Sequence, residues 1–571
     1  RNCSGQEFSA LFYYKKKETV NVKKKAFIVL LLCLGVLSTT VSSNLIWKNE
    51  YVWQQKPNGF STRKLEFGNL STGDLSWVDY QLEMNVKFNQ FTQWGNLRVM
   101  VRQNGLFDCY CLNIVQDGFS LWRYDGDGNT GVQLGSYNEK VNIGDKNKLV
   151  ITVKSNQIEV VWNGKVIFKA QDRKNRYPYG GVMFRTELAL TEIENININL
   201  LKTIDIEQAT HEMWEKAQEF APVPENAKPL KTAEELGFNN MMLISNGHYD
   251  DSSGEWSFFD ALPYVAYLDQ SFDIVDSFFD AFLFSGGYSP TGRNFGSLIG
   301  GKKESATKKE DWVWYIDKLF DPQMQLAGFD KAKARVNEKL NREEKAKVVI
   351  MIPNPLTAQD DFGEINGEKI SFSSEGRNPG DAQKHRLKAI DWYVKEIEEL
   401  WSKASFENLE LLGFYWMSED IGSNQDKELV CLTADYLHEK NYKFFWIPYN
   451  KAPGYNSSYK FDAVFRQVNY MFNDQINISR FWYTYIDALT YGSNFEIEGE
   501  VTVFNDSLAR ERYLDYLKAG VTLGYINSAK AYYFGAKALA NCALDGCQEI
   551  RDLYDKTYLF AKGKFEQGLW D

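Results

Sequence analysis

The segment GFYWMSEDI, residues 413–421, runs from an apolar pattern directly into acidic residues. Leu411–Trp416 is a continuous apolar run, which is typical of a strand buried on both faces of a parallel sheet. Glu419 follows this run closely. A carboxylate at such a place costs free energy unless it is paired or functional. The segment therefore predicts a buried strand that delivers Glu419 to one end of a sheet.

Further apolar runs alternate with helical patterns from residue 236 to the end of the chain. Eight strands interleaved with helices are typical of a (β/α)8 TIM barrel. An open doubly wound sheet is the alternative, but no glycine-rich phosphate loop follows the first run. We therefore expect a barrel over residues 236–571. The predicted strands are Met241–Ser245, Ala281–Ser285, Val348–Ile352, Leu411–Trp416, Lys443–Ile447, Val464–Tyr470, Asn494–Glu498 and Val521–Ile526.

Residues 44–200 show the two-residue period of β-strands, with turns rich in Gly, Asn and Asp. This pattern predicts an all-β jelly-roll sandwich. The hairpin VWNGKVIF, residues 161–168, followed by the strand GGVMF, residues 180–184, resembles the concanavalin or laminin-G type of lectin fold. The resemblance implies a sugar-binding role, and a purely structural appendage is the alternative.

The two remaining segments are a leader and a linker. Residues 1–43 are predicted to be an upstream extension plus a signal peptide at about residues 22–43, because Lys23–Lys25 precede an apolar run and small residues. The apolar run of about 12 residues is shorter than the ~20 that span a bilayer. We expect a secreted or periplasmic protein without a membrane anchor, a short anchor being the alternative. Residues 201–235, a helical pattern followed by prolines, are the predicted linker.

Charge and composition narrow the class of protein. The net charge is −11, which disfavours nucleic acid and anionic lipid as partners. Aromatic residues make up 15% of the chain and suit stacking on sugar rings, although a large core would explain them equally well. The sequence contains only four His residues, so it offers few candidate residues for a metal centre or a Ser-His-Asp triad. We expect a polysaccharide or glycan partner, no metal and no cofactor; the oligomeric state stays open.

Active sites of such barrels lie at the carboxyl ends of the strands. Polar or aromatic residues follow nearly every predicted strand, which indicates a working pocket. The candidate substrate-binding residues are Asn246, His248, Tyr249, Asp250, Tyr288, Arg293, Asn354, Trp416, Tyr449, Asn450, Arg466, Asn469 and Tyr525.

Three glutamates are the candidate catalytic groups. Glu496 and Glu498 alternate along one strand and so face the same side. Glu498 lies nearer the strand end and is the predicted nucleophile or base, with Glu496 orienting it. Glu419 is the predicted acid, its pKa raised by an apolar neighbour. Paired carboxylates of this kind hydrolyse glycosidic bonds. The alternative is a non-catalytic carbohydrate-binding or adhesion protein whose rim glutamates bind Arg or Lys.

Glutamates after strands four and seven resemble the large barrel clan of retaining glycoside hydrolases, which implies an acid/base role for Glu419. Ser418 departs from that clan, which usually has Asn before the acid. The segments LISNGHYDD (243–251), FLFSGGYSPTGRNF (282–295), GFYWMSEDI and FEIEGE (495–500) resemble the bacterial family named domain of unknown function 4855. This resemblance implies a secreted polysaccharide-active barrel with an accessory β domain. It implies no particular sugar, linkage, stereochemistry, or exo or endo action.

Overall fold

A computed structural model describes residues 39–40 and 45–571, except 106, 126–130, 376–377, 458 and 474–475. The predicted signal peptide therefore lies almost entirely outside the described residues. No described helix is long and apolar enough to cross a membrane.

The N-terminal part is an antiparallel sandwich, as predicted. Two long strands, Trp77–Gln103 and Gly181–Thr203, pair along their length and run through both of its layers. Residues 80–87 and 189–203 extend into one layer, and residues 96–103 and 181–187 into the other. The first layer is completed by the strands Trp53–Lys56, Gly59–Thr62, Lys146–Lys154, Gln157–Trp162 and Lys165–Gln171. The second layer is completed by Lys48–Asn49, Gly68–Thr72, Asp108–Val115, Gly118–Asp125 and Gly131–Tyr137.

The predicted linker contains a helix, Ile206–Phe220, that packs on the barrel. Asp205 caps its N-terminus by accepting hydrogen bonds from the backbone N–H groups of Glu207 and Gln208. Trp214 is buried and meets Trp482 edge to face at 6.0 Å. A short helix, Ala233–Leu236, then leads into the barrel. The linker helix is thus held against the barrel by an aromatic contact.

The C-terminal part is a closed parallel barrel, which confirms the predicted fold class. Its strands are β1 Asn240–Ser245, β2 Ala281–Ser285, β3 Ala346–Ile352, β4 Leu409–Trp416, β5 Lys443–Trp446, β6 Ala463–Arg466, β7 Asn494–Gly499 and β8 Lys530–Phe534. The α-helices around and after them are Phe258–Val265, Lys309–Leu319, Leu326–Leu340, Pro379–Ala404, Asn424–Glu439, Ser479–Tyr491, Ser507–Leu523, Ala538–Leu544 and Gln548–Ala561. Two small hairpins, Ala266–Leu268 with Ile274–Ser277 and Gly363–Ile365 with Glu368–Ile370, decorate it.

The prediction of the eighth strand is wrong. Residues 521–526 finish the helix Ser507–Leu523 and form a short 3-10 turn, and Gly524 ends the helix in the left-handed conformation with φ 81°. Tyr525 therefore precedes β8 and lies at the end of the barrel opposite the predicted site. Its ring stacks on Phe495 at 4.2 Å, and its hydroxyl donates to the carbonyl of Tyr516. Its predicted place in the binding pocket is accordingly also wrong.

Strand register decides which side chains enter the barrel. Tyr415 on β4 lies opposite Phe445 on β5, and Glu496 on β7 lies opposite Ala531 on β8. Tyr415 and Glu496 are close enough to interact electrostatically although their strands are not neighbours, so both point into the interior. Because successive residues alternate, Trp416 and Arg466 point outward toward the helices.

Candidate active site

Side chains from the ends of β4, β6 and β7 form one hydrogen-bonded chain. Gln467 donates from Nε2 to Oε1 of Glu419 at 2.8 Å. Asn469 donates from Nδ2 to Oε1 of Gln467 at 2.8 Å and to Oε1 of Glu498 at 3.2 Å. The two glutamates predicted from distant parts of the sequence are therefore connected through two amide side chains.

Glu498 is buried and is held by specific donors. The backbone N–H of Asn469 and the hydroxyl of Tyr516 donate to its Oε2 at 2.7 Å and 2.6 Å. Asn469 has φ 53°, a left-handed conformation that Asn tolerates better than most residues. Burial raises the pKa of Glu498 to about 7, and the donors limit this rise because they favour the charged carboxylate.

Glu496 is also buried, but no described residue donates to or accepts from its Oε1. Burial raises its pKa well above the ordinary value, and the charges of Glu498 and Glu419 raise it further. Two buried carboxyl groups this close do not both ionise readily. Since the donors surround Glu498, we infer that Glu498 carries the charge and Glu496 the proton.

Glu419 is exposed at the barrel mouth. The surrounding protein nevertheless desolvates the carboxyl group of Glu419 and so raises its pKa. The hydrogen bond from Gln467 opposes this rise, and the negative charge of Asp420 adds to the rise. Over the described residues, neither Glu419 nor the β7 glutamates form an ion pair with Lys or Arg. The alternative of rim glutamates neutralised by basic partners is therefore not what the structure shows.

The loop after β5 forms the wall beside Glu419. Tyr449 has 37% of its surface exposed, and its pKa is raised by partial burial and by the nearby Asp420 and Glu419. Asn450 donates its backbone N–H to Oδ1 of Asn469 at 2.7 Å. Tyr449 is thus placed to contact a ligand, whereas Asn450 supports Asn469.

The loops after β1, β2 and β3 carry the other predicted binding residues. Asn246 and Asn354 are buried, and each has one amide atom, Nδ2 and Oδ1 respectively, without a hydrogen-bond partner among the described residues. The backbone N–H of His248 donates to the carbonyl of Tyr288 at 2.8 Å, which joins the first two loops. His248, Asp250 and Tyr288 are exposed, and burial raises the pKa of Tyr249.

Three predicted binding residues have other partners. Arg293 forms ion pairs with Glu310 and Asp311 at 2.6 Å and 3.0 Å. Arg466 points away from the interior and donates to Oγ of Ser493 and to the carbonyl of Tyr455. Trp416 also points outward and meets Phe444 edge to face at 6.3 Å. The predicted place of Arg466 and Trp416 in the mouth is wrong because the neighbouring residues of their strands face inward.

Sequence reasoning missed several residues of the site. Gln467 lies two residues before Asn469 in the sequence, but only Asn469 is among the predicted binding residues. Tyr516 lies within a helix, and the sequence around it does not distinguish it from a tyrosine of the hydrophobic core. Tyr533 was missed because the eighth strand was misplaced. Burial raises its pKa to about 12, and Tyr249, Glu496 and Glu498 lie close enough to add to the rise.

Across the described residues, no group of His, Cys, Asp and Glu is arranged to hold a metal ion. The side chains joined by hydrogen bonds at the mouth are carboxyl groups, amides and a phenol. A carboxyl group with a raised pKa, that of Glu419, and a buried carboxyl group held by hydrogen-bond donors, that of Glu498, are both present.

The sequence profile described as Domain of unknown function (DUF4855) matches residues 240–559, more than half of the chain. The chain belongs to the DUF4855 family. The DUF4855 match begins in β1 and ends in the last helix, Gln548–Ala561, so it covers the barrel and both candidate carboxylate positions. No curated protein sequence matches the chain.

Solved structures similar to parts of this DUF4855 chain include the carbohydrate-binding module CBM66 from Bacillus subtilis, at 13% identity over 27% of this chain and 94% of that one, with a TM-score of 0.24. A candidate glycosyl hydrolase from Parabacteroides distasonis is 18% identical over 27% of this chain and 98% of its own chain, with a TM-score of 0.20. Domain 4 of AbnA, an arabinanase from Geobacillus stearothermophilus, is 14% identical over 29% of this chain and 86% of its own chain, with a TM-score of 0.21. Each of these likenesses covers less than a third of this chain.

Replacing Glu496 in this DUF4855 barrel tests the buried carboxyl pair. A carboxyl group whose pKa is raised on folding stabilises the fold below its unfolded pKa of about 4.3, and that stability is lost as pH rises through the folded pKa. Glu496→Gln should therefore leave the free energy of unfolding unchanged near pH 4 and raise it near pH 8, by up to ~1.4 kcal/mol for each unit by which folding raises the pKa of Glu496. Urea unfolding at both pH values measures this effect.

Glu428→Gln, on the exposed face of the helix Asn424–Glu439, is the matched control and should leave the pH dependence of stability unchanged. Equal pH dependence in wild type and Glu496→Gln would show that Glu496 does not hold the buried proton.

Proposed function

We propose that this protein is a glycoside hydrolase, with Glu419 as general acid and Glu498 as nucleophile or base. The observation that supports this proposal is the chain from Glu419 through Gln467 and Asn469 to Glu498, because it fixes an exposed, protonatable carboxyl group relative to a buried carboxylate. Enzymes that cleave glycosidic bonds use two carboxyl groups in these complementary states.

The environment of each group suits its proposed role. Glu419 has a raised pKa, so a larger fraction of it is protonated than for an ordinary glutamate, and it gives that proton to the departing sugar oxygen. Glu498 is kept charged by Asn469 and Tyr516. It either attacks the anomeric carbon or takes a proton from the attacking water. The anomer of the first product, observed by NMR, distinguishes these two courses.

Glu496 and Asn469 are positioning residues in this proposal. A protonated Glu496 leaves Glu498 as the single charged group of the pair. Asn469 holds both oxygens of Glu498 and, through Gln467, aligns Glu419. The proposal therefore places the chemistry on two residues and their orientation on the loop after β6.

The direct test is a screen of the protein against xylan, arabinan, galactan, mannan, levan and pectin, with release of reducing ends as the readout. Cleavage of one of these supports the proposal. Binding to a glycan without cleavage would instead support the non-catalytic carbohydrate-binding alternative.

We also propose that the protein is exported, which rests on the basic residues Lys23–Lys25 and the apolar run Ala26–Leu37. N-terminal sequencing of exported protein should find a start near residue 44. A start at or before Lys23 would contradict cleavage of a signal peptide.

Tyr516→Phe tests how Glu498 is kept charged. A hydrogen bond to a charged group is worth about 1.5–3 kcal/mol, so losing this donor should raise the pKa of Glu498 by about one unit or more. The acidic limb of the kcat/KM profile should move to higher pH by the same amount. Tyr513→Phe is the matched control, because that buried tyrosine lies on the same helix but bonds to Thr557. An unmoved acidic limb in Tyr516→Phe would contradict the role of Glu498.

A further inference from the structure

A cleft of about 510 Å³ lies between the sandwich and the barrel. The sandwich contributes strand residues and the barrel contributes the loops after β6 and β7. Residues that line it include Asn49, Asn69, Phe472, Glu500, Thr502 and Leu508. Neither domain alone forms this cleft.

The cleft is lined by the segments that follow β6 and β7, the strands that also lead into the candidate active site. Glu500, on its wall, comes two residues after Glu498. Phe472 packs near Tyr533 at 6.2 Å, and Tyr533 interacts with the β7 glutamates. The hydroxyl of Tyr516 donates to Glu498 and accepts from the backbone N–H groups of Tyr470 and Met471. One hydroxyl therefore ties the candidate carboxylate to the loop that forms the cleft wall.

That loop is anchored on both sides. Arg512 stacks on the ring of Tyr470 at 3.5 Å and donates to the carbonyl of Asn473 at 2.8 Å. Asn477 donates from Nδ2 to the carbonyl of Asn104 in the sandwich at 2.7 Å. Phe472 is thus presented from a loop fixed to barrel and sandwich, while 48% of its surface is exposed.

The lining combines five charged residues, Lys48, Glu50, Glu500, Asp506 and Arg512, with an aromatic ring and amide groups that suit a polar chain with apolar faces. Phe472 offers an exposed aromatic ring, on which the C–H face of a sugar can stack. Glu50 is already occupied by Asn69, whose backbone and side-chain nitrogens both donate to it at 2.8 Å. Asn49 is exposed on the opposing strand and offers an amide. Ligand pockets commonly combine an apolar surface with a few polar groups in this way.

We propose that this cleft binds sugar residues of a glycan chain that extends from Glu419 and Glu498 toward the sandwich. The sandwich would then complete the substrate-binding surface of the barrel rather than act as a separate module. This inference rests on the proposed glycoside hydrolase function, and it predicts that long glycan chains are preferred over short ones.

The test compares disaccharides to octasaccharides of the glycan that the screen identifies, using wild type, Phe472→Ala, Asn49→Ala and the control Phe272→Ala. Phe272 is an exposed aromatic residue in the turn between Ala266–Leu268 and Ile274–Ser277, before β2. The ratio of kcat/KM for the longest over the shortest substrate should fall about tenfold in Phe472→Ala, which is the scale of one aromatic contact. It should fall about two- to tenfold in Asn49→Ala, which is the scale of one hydrogen bond, and stay unchanged in the control. An unchanged ratio in both cleft variants would overturn the proposal.

Failure of the hydrolase proposal is distinguishable from failure of this one. If none of the screened polysaccharides is cleaved, calorimetric binding of the same polysaccharides replaces the rate measurement. A glycan that binds wild type, binds Phe472→Ala about tenfold more weakly and binds Asn49→Ala about two- to tenfold more weakly supports the cleft without the chemistry. Equal affinity in all variants, or no binding to any of them, would overturn the cleft as a glycan site.

Discussion

Glu498→Gln should abolish hydrolysis of the glycan that the wild-type protein cleaves. Gln keeps the shape of the side chain and accepts a hydrogen bond from Tyr516, but it neither attacks an anomeric carbon nor takes a proton from water. The loss in kcat should be at least the ~10²–10⁴-fold of general acid–base catalysis, because the nucleophile or base enters the bond-forming step itself. Initial rates of reducing-end release measure this loss, and binding of the uncleaved glycan shows that the site is still formed.

Glu496→Gln is the matched control, since both residues lie buried on the inner face of β7. It should reduce kcat less than Glu498→Gln does if Glu496 only orients its neighbour. A larger loss of kcat in Glu496→Gln than in Glu498→Gln would show that Glu496 is the nucleophile or base and that Glu498 orients it.

Glu419→Gln should reduce kcat on the natural glycan by ~10²–10⁴-fold, the typical worth of proton transfer to a leaving group. The corresponding loss in kcat/KM, which reports the departure of the leaving group, should nearly vanish on an aryl glycoside whose leaving group departs without a proton. Rates on both kinds of substrate measure this difference, and Glu428→Gln on the exposed helix face should leave both rates unchanged. An equal loss on the two substrates would show that Glu419 is not the acid, and Asp250, Asp251 or Asp420 would then be tested.

The sequence was sufficient to predict both domains because each has a clear hydrophobic period. Seven barrel strands appear as apolar runs, since parallel strands are buried on both faces. The eighth strand was missed because it begins with Lys530, a buried lysine that donates to the carbonyls of Ile526 and Ser528. The apolar stretch before it belongs to a helix, and Gly524 is the signal that marks the end of that helix.

The candidate site was only partly predictable, because the side of the sheet toward which a strand residue points depends on the register of the strands. Strand ends indicated which loops meet, but not that Gln467 faces the site while Arg466 faces a helix. Register with the neighbouring strands settles that choice, and a sequence alone does not show it. Tyr516 was beyond reach for another reason: it comes from a helix and meets Glu498 only after the barrel has closed.

The cleft was likewise not predictable from the sequence, since the residues of its two walls lie at least 400 positions apart along the chain. Phe472 carries no motif, and its exposure is set by the anchoring of its loop through Arg512 and Asn477. Contacts between domains depend on docking rather than on local periodicity, so neither wall predicted the other.

The most direct test of the proposed chemistry is the release of reducing ends by wild type and by the double variant Glu419→Gln/Glu498→Gln, on each polysaccharide of the screen. We predict that wild type cleaves one of them, and that the double variant binds the same glycan and does not cleave it. Cleavage by both proteins at the same rate would contradict the assignment of Glu419 and Glu498 as the residues that perform the hydrolysis.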